Sequence, residues 1–317
     1  MSGQTRGVLF ALLAFALFAG HDVIIKSLGG IYAPFQIVFF SVLFSFPLAT
    51  GLLMRDAQAA TLRPVHPWWI ALRTGCAVVA TALAFYAFSV LPLADTYAIL
   101  FAGPLLITVL AIPMLGERIR LRRGIAVVVG LCGVGVVLQP GSSELGPGHL
   151  AALGAACLSS VASVIVRRIG REERSVVLLL YPMVANFILM GGLMPFFYQP
   201  MPVAHLGGMA LIALLAFVAM LCLIQGYKLA EAALVAPMQY SQILWAAFYG
   251  LLLFDEVPDR MTMLGSAIII ASGLYIVFRE SRAGASAHTP VLRSRSRAAT
   301  PGAMRIGPLL RMRGEDA

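Results

Sequence analysis

A chain of 317 residues with 60% hydrophobic and 12% charged side chains carries about half the charge of an ordinary soluble domain. Its mean hydropathy of +0.90 excludes a single water-surrounded core. The net charge of +9 does not indicate a nucleic-acid partner, because eight of the 23 Lys and Arg follow Phe278 in a polar tail and most others sit in short loops.

Ten apolar runs follow in chain order, at 7–28, 34–54, 68–91, 94–115, 122–139, 148–167, 175–197, 205–227, 231–253 and 260–278. Each is close to the roughly 20 residues that cross a bilayer as a helix. The runs are continuous rather than alternating, so helices are expected and a transmembrane barrel is not. The first run contains His21 and Asp22 and lacks a small-residue cleavage site, which predicts a retained helix rather than a cleaved leader. Pro92, Pro140, Pro147, Pro200, Pro202 and Pro258 punctuate the connections. Cys76, Cys132, Cys157 and Cys222 each lie within an apolar run with no paired spacing, so they read as small packing residues.

Lys and Arg alternate between connections. One set holds Arg6, Arg55, Arg63, Arg118, Arg120, Arg122, Arg123, Arg167, Arg168, Arg171, Arg174, Lys228 and the tail. The other holds Arg260, with Lys26 at a helix end. Positive residues mark the cytoplasmic side, so both termini are expected there. The tail, 279–317, is expected to be disordered and weakly attracted to anionic lipid.

The chain repeats itself. Gly7 to Gly29 matches Gly148 to Gly170 without gaps, sharing a VI-x-[KR]-x-x-G ending in which Lys26 aligns with Arg167. Leu115-Gly116-Glu117 closes the fourth run as Phe254-Asp255-Glu256 closes the ninth. Five spans per copy is an odd number, so the second copy, 148–278, is expected to be inverted relative to the first, 7–139. That places a substrate site near the midplane between them.

These features resemble the drug/metabolite transporter superfamily, specifically proteins with two EamA-type domains. The resemblance is carried by Phe85-Tyr86-Ala87, Leu91-Pro92-Leu93-Ala94-Asp95, Pro104 and Leu115-Gly116-Glu117-Arg118. In the second half it is carried by Ala236-Pro237, Tyr240, Phe254-x-Glu256, Gly265 and Gly273. It implies a bacterial inner-membrane carrier whose central cavity opens alternately to each side. Members move amino acids, amines, nucleotide-like metabolites and vitamins, including S-adenosylmethionine and riboflavin. Many carry an Arg early in the second span, where this chain reads Phe39-Phe40-Ser41.

Ionisable groups inside membrane helices are costly and usually face the bundle interior. His21, Asp22 and Lys26 are therefore candidates for proton coupling, with Asp22 and Lys26 spaced to form an ion pair on one helical face. Arg73 is a candidate for an anionic substrate group, or else it snorkels to the interface. Gln239, Gln242, Trp245 and Tyr249 fall within about 120° of one another on a helix, with Tyr240 beside them, and suit one wall of a substrate cavity. Tyr97, Phe101, Pro104 and Thr108 form a matching stripe on the fourth run, where Phe101 is the counterpart of Tyr240. Ser159 and Ser163 share a face of the sixth, and Ser163 corresponds to Asp22. Tyr181, Asn186 and Gln225 are weaker cavity candidates. Glu117 and Glu256 end the fourth and ninth runs on opposite sides of the membrane and read as end-of-helix residues that bond backbone or Arg groups, with gates as the alternative.

The expected function is secondary transport of a planar, aromatic or zwitterionic metabolite, with riboflavin, S-adenosylmethionine and amino acids as candidates. A structural or accessory membrane subunit is one alternative, and a lipid-modifying membrane protein another. There is no GxxxxGK[ST] and no HExxH, so neither an enzyme nor a cofactor is expected. The expected partners are a small molecule and the bilayer, and a homodimer is compatible with them.

Overall fold

The computed structural model describes residues 3–53, 62–117, 121–139, 145–170 and 172–282. Among these, all regular structure is helical. The elements are α1 (Gly3–Gly29), α2 (Pro34–Leu53), α3 (Pro67–Val90), α4 (Leu93–Leu100), α5 (Ala102–Leu115), α6 (Leu121–Leu138) and α7 (Pro147–Ile169), then α8 (Ser175–Phe197), α9 (Val203–Leu229), α10 (Ala232–Val235), a 3₁₀ segment (Ala236–Tyr240), α11 (Ser241–Phe254) and α12 (Arg260–Arg282). A bilayer core leaves the backbone no partner but itself, which is why apolar runs of this length become helices.

Nine helical stretches among the described residues are long and apolar enough to cross a membrane, with α4 and α5 counted together. The ninth expected span, 231–253, is instead divided into α10, the 3₁₀ segment and α11. Pro237 opens that 3₁₀ segment. The fourth span breaks at Phe101, and there the cause is local: Pro104 has no N–H to give the Leu100 carbonyl. The last helix runs to Arg282, past the expected end at 278, while 283–317 of the expected disordered tail lies outside the described residues.

Two helix ends are built alike. Gly116 (φ 68°) and Asp255 (φ 54°) take the left-handed conformation that closes α5 and α11. The next N–H then bonds back six residues, Glu117 to Ala111 and Glu256 to Gly250. This is a left-handed C-terminal cap, a conformation that Gly adopts without strain and Asp tolerates better than most residues. It fixes where both glutamates sit. Asp259 caps the start of α12, its Oδ1 accepting the Thr262 N–H at 2.6 Å. That bond, with further ones from the Thr262 and Gln139 side chains, holds the exposed Asp259 carboxyl below the usual carboxylate range.

Helices meet closely where residues are small, as packing in lipid requires. α1 lies along α9, where a Cβ on Gly7 would come 2.5 Å from that of Ala230. α3 lies along α7, with Gly148 against Val90 and Leu91. α6 lies along α12, and a Cβ on Gly265 would come 2.6 Å from the Gly133 carbonyl oxygen. α2 packs on α8 through Phe39 stacked on Phe187, centroids 4.9 Å apart. Large apolar side chains such as Leu150, Phe196 and Leu252 point outward, as they should where the surrounding solvent is lipid.

Candidate functional site

The interior of the bundle holds a buried polar cluster in the second half of α1. His21 and Asp22 on α1 are each 1% exposed, and Tyr97 on α4 is 3% exposed. His21 Nδ1 donates to Asp22 Oδ1 at 2.7 Å, and the Tyr97 hydroxyl donates to Asp22 Oδ2. A carboxylate in so apolar a setting needs such donors, because burying it bare is prohibitive. α1 presents Asp22 inward because Ala11, Ala14, Phe18 and Ile25 lie on the same buried side.

Aromatic rings continue from this cluster. Phe85 on α3 meets the His21 ring edge-on at 6.3 Å. Phe88 contacts Tyr97 at 5.3 Å, Tyr97 stacks on Phe101 at 6.1 Å, and Phe101 contacts Tyr240 at 5.2 Å. The residues expected to correspond in the two copies, Phe101 and Tyr240, thus touch where their helices break. Gly273 on α12 gives Tyr240 its space: a Cβ there would lie 1.9 Å from the phenolic oxygen.

Of the stripe expected on the ninth span, Gln239 lies in the 3₁₀ segment with Tyr240, and Gln242, Trp245 and Tyr249 lie on α11; a 3₁₀ turn eclipses residues three apart, so Gln239 stays in line with Gln242. Gln242 is buried, and among the described residues its Nε2 has no hydrogen-bond acceptor; nor has Trp245 Nε1. Trp245 stacks on Tyr249 at 6.3 Å but also touches Phe248, which is 53% exposed, so this edge of the stripe approaches lipid.

Arg73 is half-buried. Ile70, Val78, Thr81, Phe85 and Phe88 define the buried face of α3, and Arg73 falls within about 60° of Ile70. Its Nε and Nη1 are buried without acceptors. Ser163 is buried, but its neighbour Ser160 makes the contact between elements, donating to the Gly103 carbonyl at 3.1 Å. Thr108 bonds the Pro104 carbonyl and accepts from Arg123, so it faces α6 rather than the aromatic wall. Asn186 is buried with Oδ1 lacking a donor, Tyr181 reaches the Leu62 carbonyl, and Gln225 is exposed.

Lys26 corrects the expectation of an Asp22–Lys26 pair. Its Nζ lies 2.6 Å from Glu256 Oε1 and also donates to the Leu91 carbonyl. Glu256 Oε2 accepts the Leu93 N–H at 3.1 Å. Asp22 is instead satisfied by its neighbour His21 and by another helix. Glu117 behaves as expected and pairs with an arginine, Arg167. The Lys26–Glu256 contact was missed in the sequence, although the alignment of Lys26 with Arg167 and of Glu117 with Glu256 contained the signal.

A helical bundle in lipid with a buried carboxylate, unpartnered interior donors and an aromatic wall defines a multi-pass membrane protein that handles a small solute. The comparisons with known proteins agree. Residues 5–139 and 146–279 each match the EamA-like transporter family, and the chain belongs to that family. It is 23% identical to an S-adenosylmethionine uptake transporter of Rickettsia bellii, over 87% of this chain and 95% of that one. It is 26% identical to the pseudopaline exporter CntI of Pseudomonas aeruginosa, over 84% and 94%. It is 28% identical to a riboflavin transporter of Rhizobium johnstonii, over 77% and 79%. A crystal structure with TM-score 0.61 and 19% identity, covering 89% of this chain and 99% of that one, shares the fold. The chain is a transporter of small metabolites, not an enzyme.

Proposed function

We propose that the chain is a secondary active carrier that moves a planar or zwitterionic metabolite across a bacterial inner membrane by alternating access, with both termini cytoplasmic. The observation that carries this reading is the Asp22 carboxylate, buried in the bundle interior and held by His21 and Tyr97. A titratable group in that position suits proton coupling, and intramembrane ionisable residues commonly mark such relays. Lys26 stands one turn further along α1 and serves the same helix through its pair with Glu256.

The two copies are read as inverted. The way contacts recur supports this: α1 lies on α9 as α7 lies on α3, and α5 lies on α7 as α11 lies on α1. Broken helices at the meeting point of such repeats are where carriers of this architecture bind substrate. Tyr97, Phe101 and Tyr240 offer aromatic faces, with Gln239, Trp245 and Tyr249 beyond them. Gln242 and Arg73 carry donors that a substrate carbonyl or carboxylate would satisfy, and Ser163 adds a hydroxyl. The names of the relatives make S-adenosylmethionine and riboflavin the first compounds to test.

Purified protein in liposomes should take up radiolabelled S-adenosylmethionine, riboflavin or an amino acid, driven by a pH gradient. Stacking on a ring contributes roughly 1–3 kcal/mol. Trp245→Ala should then weaken binding by about one to two orders of magnitude. Gln242→Leu should alter selectivity more than folding. If neither variant changes binding, the cavity assignment on α11 is wrong.

A further inference from the structure

The charged residues at the two ends of the bundle form an exchanged pattern. Each family match contributes one cation near the end of its first helix and one glutamate after its fourth span. Lys26 of the first match pairs with Glu256 of the second, and Arg167 of the second pairs with Glu117 of the first. The pairs lie at opposite ends. Gly148, at the start of α7, sits against Val90 and Leu91, and Lys26 bonds the Leu91 carbonyl. Arg167, at the other end of α7, therefore lies a full helix length away, where Arg168 packs over Trp69 near the start of α3.

The environments suit reversible contacts. All four side chains are mostly buried, with exposures of 11% and 22% for Lys26 and Glu256 and of 13% and 7% for Arg167 and Glu117. A buried ion pair lies close to balance between desolvation and attraction, and parting it is costly mainly because each charge loses its partner. Here each partner at the first end keeps another bond. Lys26 holds the Leu91 carbonyl and Glu256 holds the Leu93 N–H, either side of Pro92. The left-handed caps at Gly116 and Asp255 fix where both glutamates leave their helices. Neighbouring contacts close the same ends: Gln36 with Gln199 beside the first pair, and the Arg168 bond to the Met114 carbonyl beside the second.

We infer that Lys26–Glu256 and Arg167–Glu117 are two latches released in alternation, one parting to open its end of the bundle while the other holds the opposite end shut. This rests on the alternating-access reading above. Both pairs are formed in this structure. The four side chains are positioning residues: they set which end opens and need not touch the substrate.

The test reads distance separately from transport. In a background without the native cysteines, spin labels at Ile31 and Val257 span the first end, and labels at Leu121 and Glu172 span the second. Glu256→Gln keeps the hydrogen bond to Leu93 but removes the charge. It should lengthen and broaden the Ile31–Val257 distance and leave the other unchanged, and Glu117→Gln should do the reverse. The exchanged pair Lys26→Glu/Glu256→Lys should restore the short distance. Lys26→Cys/Glu256→Cys, once oxidised, should abolish flux of S-adenosylmethionine or riboflavin, and reduction should restore it. Unchanged distances in both single glutamine variants would overturn the latches, whatever the flux. Distances that respond as stated, in a protein that carries none of the compounds even unmutated, would leave the latches standing and refute the substrate reading instead.

Discussion

The Tyr97 hydroxyl donates to the Asp22 carboxylate and so ties α4 to α1 through one buried bond. A hydrogen bond to a charged group contributes about 1.5–3 kcal/mol. Tyr97→Phe should therefore lower the thermal stability of the purified protein and leave His21 as the donor to Asp22. Asp22→Asn should reduce pH-gradient-driven flux more than substrate exchange. Equal loss of both activities would mean that the carboxylate only holds the helices together.

Tyr240 occupies space that exists only because residue 273 is glycine. A Cβ at Gly273 would lie 2.2 Å from the ring carbon that bears the hydroxyl, so Gly273→Ala must displace the ring. Overpacking of this kind costs about 1–3 kcal/mol. The variant should be less stable and impaired in substrate binding, and adding Tyr240→Ala should recover stability but not binding. Full activity of Gly273→Ala would show that the Phe101–Tyr240 contact is dispensable.

The two helix ends that carry the glutamates differ in one atom of consequence. Gly116 has no Cβ, whereas Asp255 carries one in the same left-handed conformation. A non-glycine residue there is disfavoured by roughly 1–2 kcal/mol. Gly116→Ala should lower the unfolding temperature. Asp255→Gly should raise it, by less, because glycine also gains freedom in the unfolded chain. Thermal unfolding in detergent decides both, and the opposite signs would remove the account of the left-handed caps.

Orientation is open to a separate check. Reporter fusions after residues 145 and 200 should read periplasmic, and those after 120 and 170 cytoplasmic. Reversal at any two sites would overturn the ten-span topology.

The helices were readable because lipid leaves an apolar run of this length few alternatives, and expected boundaries fall within a few residues of those observed. The glutamates were readable as helix ends for a local reason: Gly116 and Asp255 are residue types that tolerate a left-handed turn. What escaped was pairing. Asp22 and Lys26 sit one turn apart, and helix geometry alone makes them partners, yet each bonds a different element. Such choices are made by contacts between segments far apart in sequence, which no local periodicity records. The 3₁₀ turn at Ala236–Tyr240 escaped for a related reason, since Pro237 alone does not say whether a helix ends, kinks or tightens.

The exchange of partners between the two family matches also bears on how such a chain can be divided. The matches end at 139 and resume at 146. Cut in that connection, either fragment would keep its own helices but lose the counter-ion for its cation and for its glutamate. Each fragment alone should then be a substrate for membrane quality control, while the two made together should find one another and rebuild the carrier. Mutual dependence of this kind would keep two duplicated halves joined in one gene, because a copy that drifted away would strand the charges of the other.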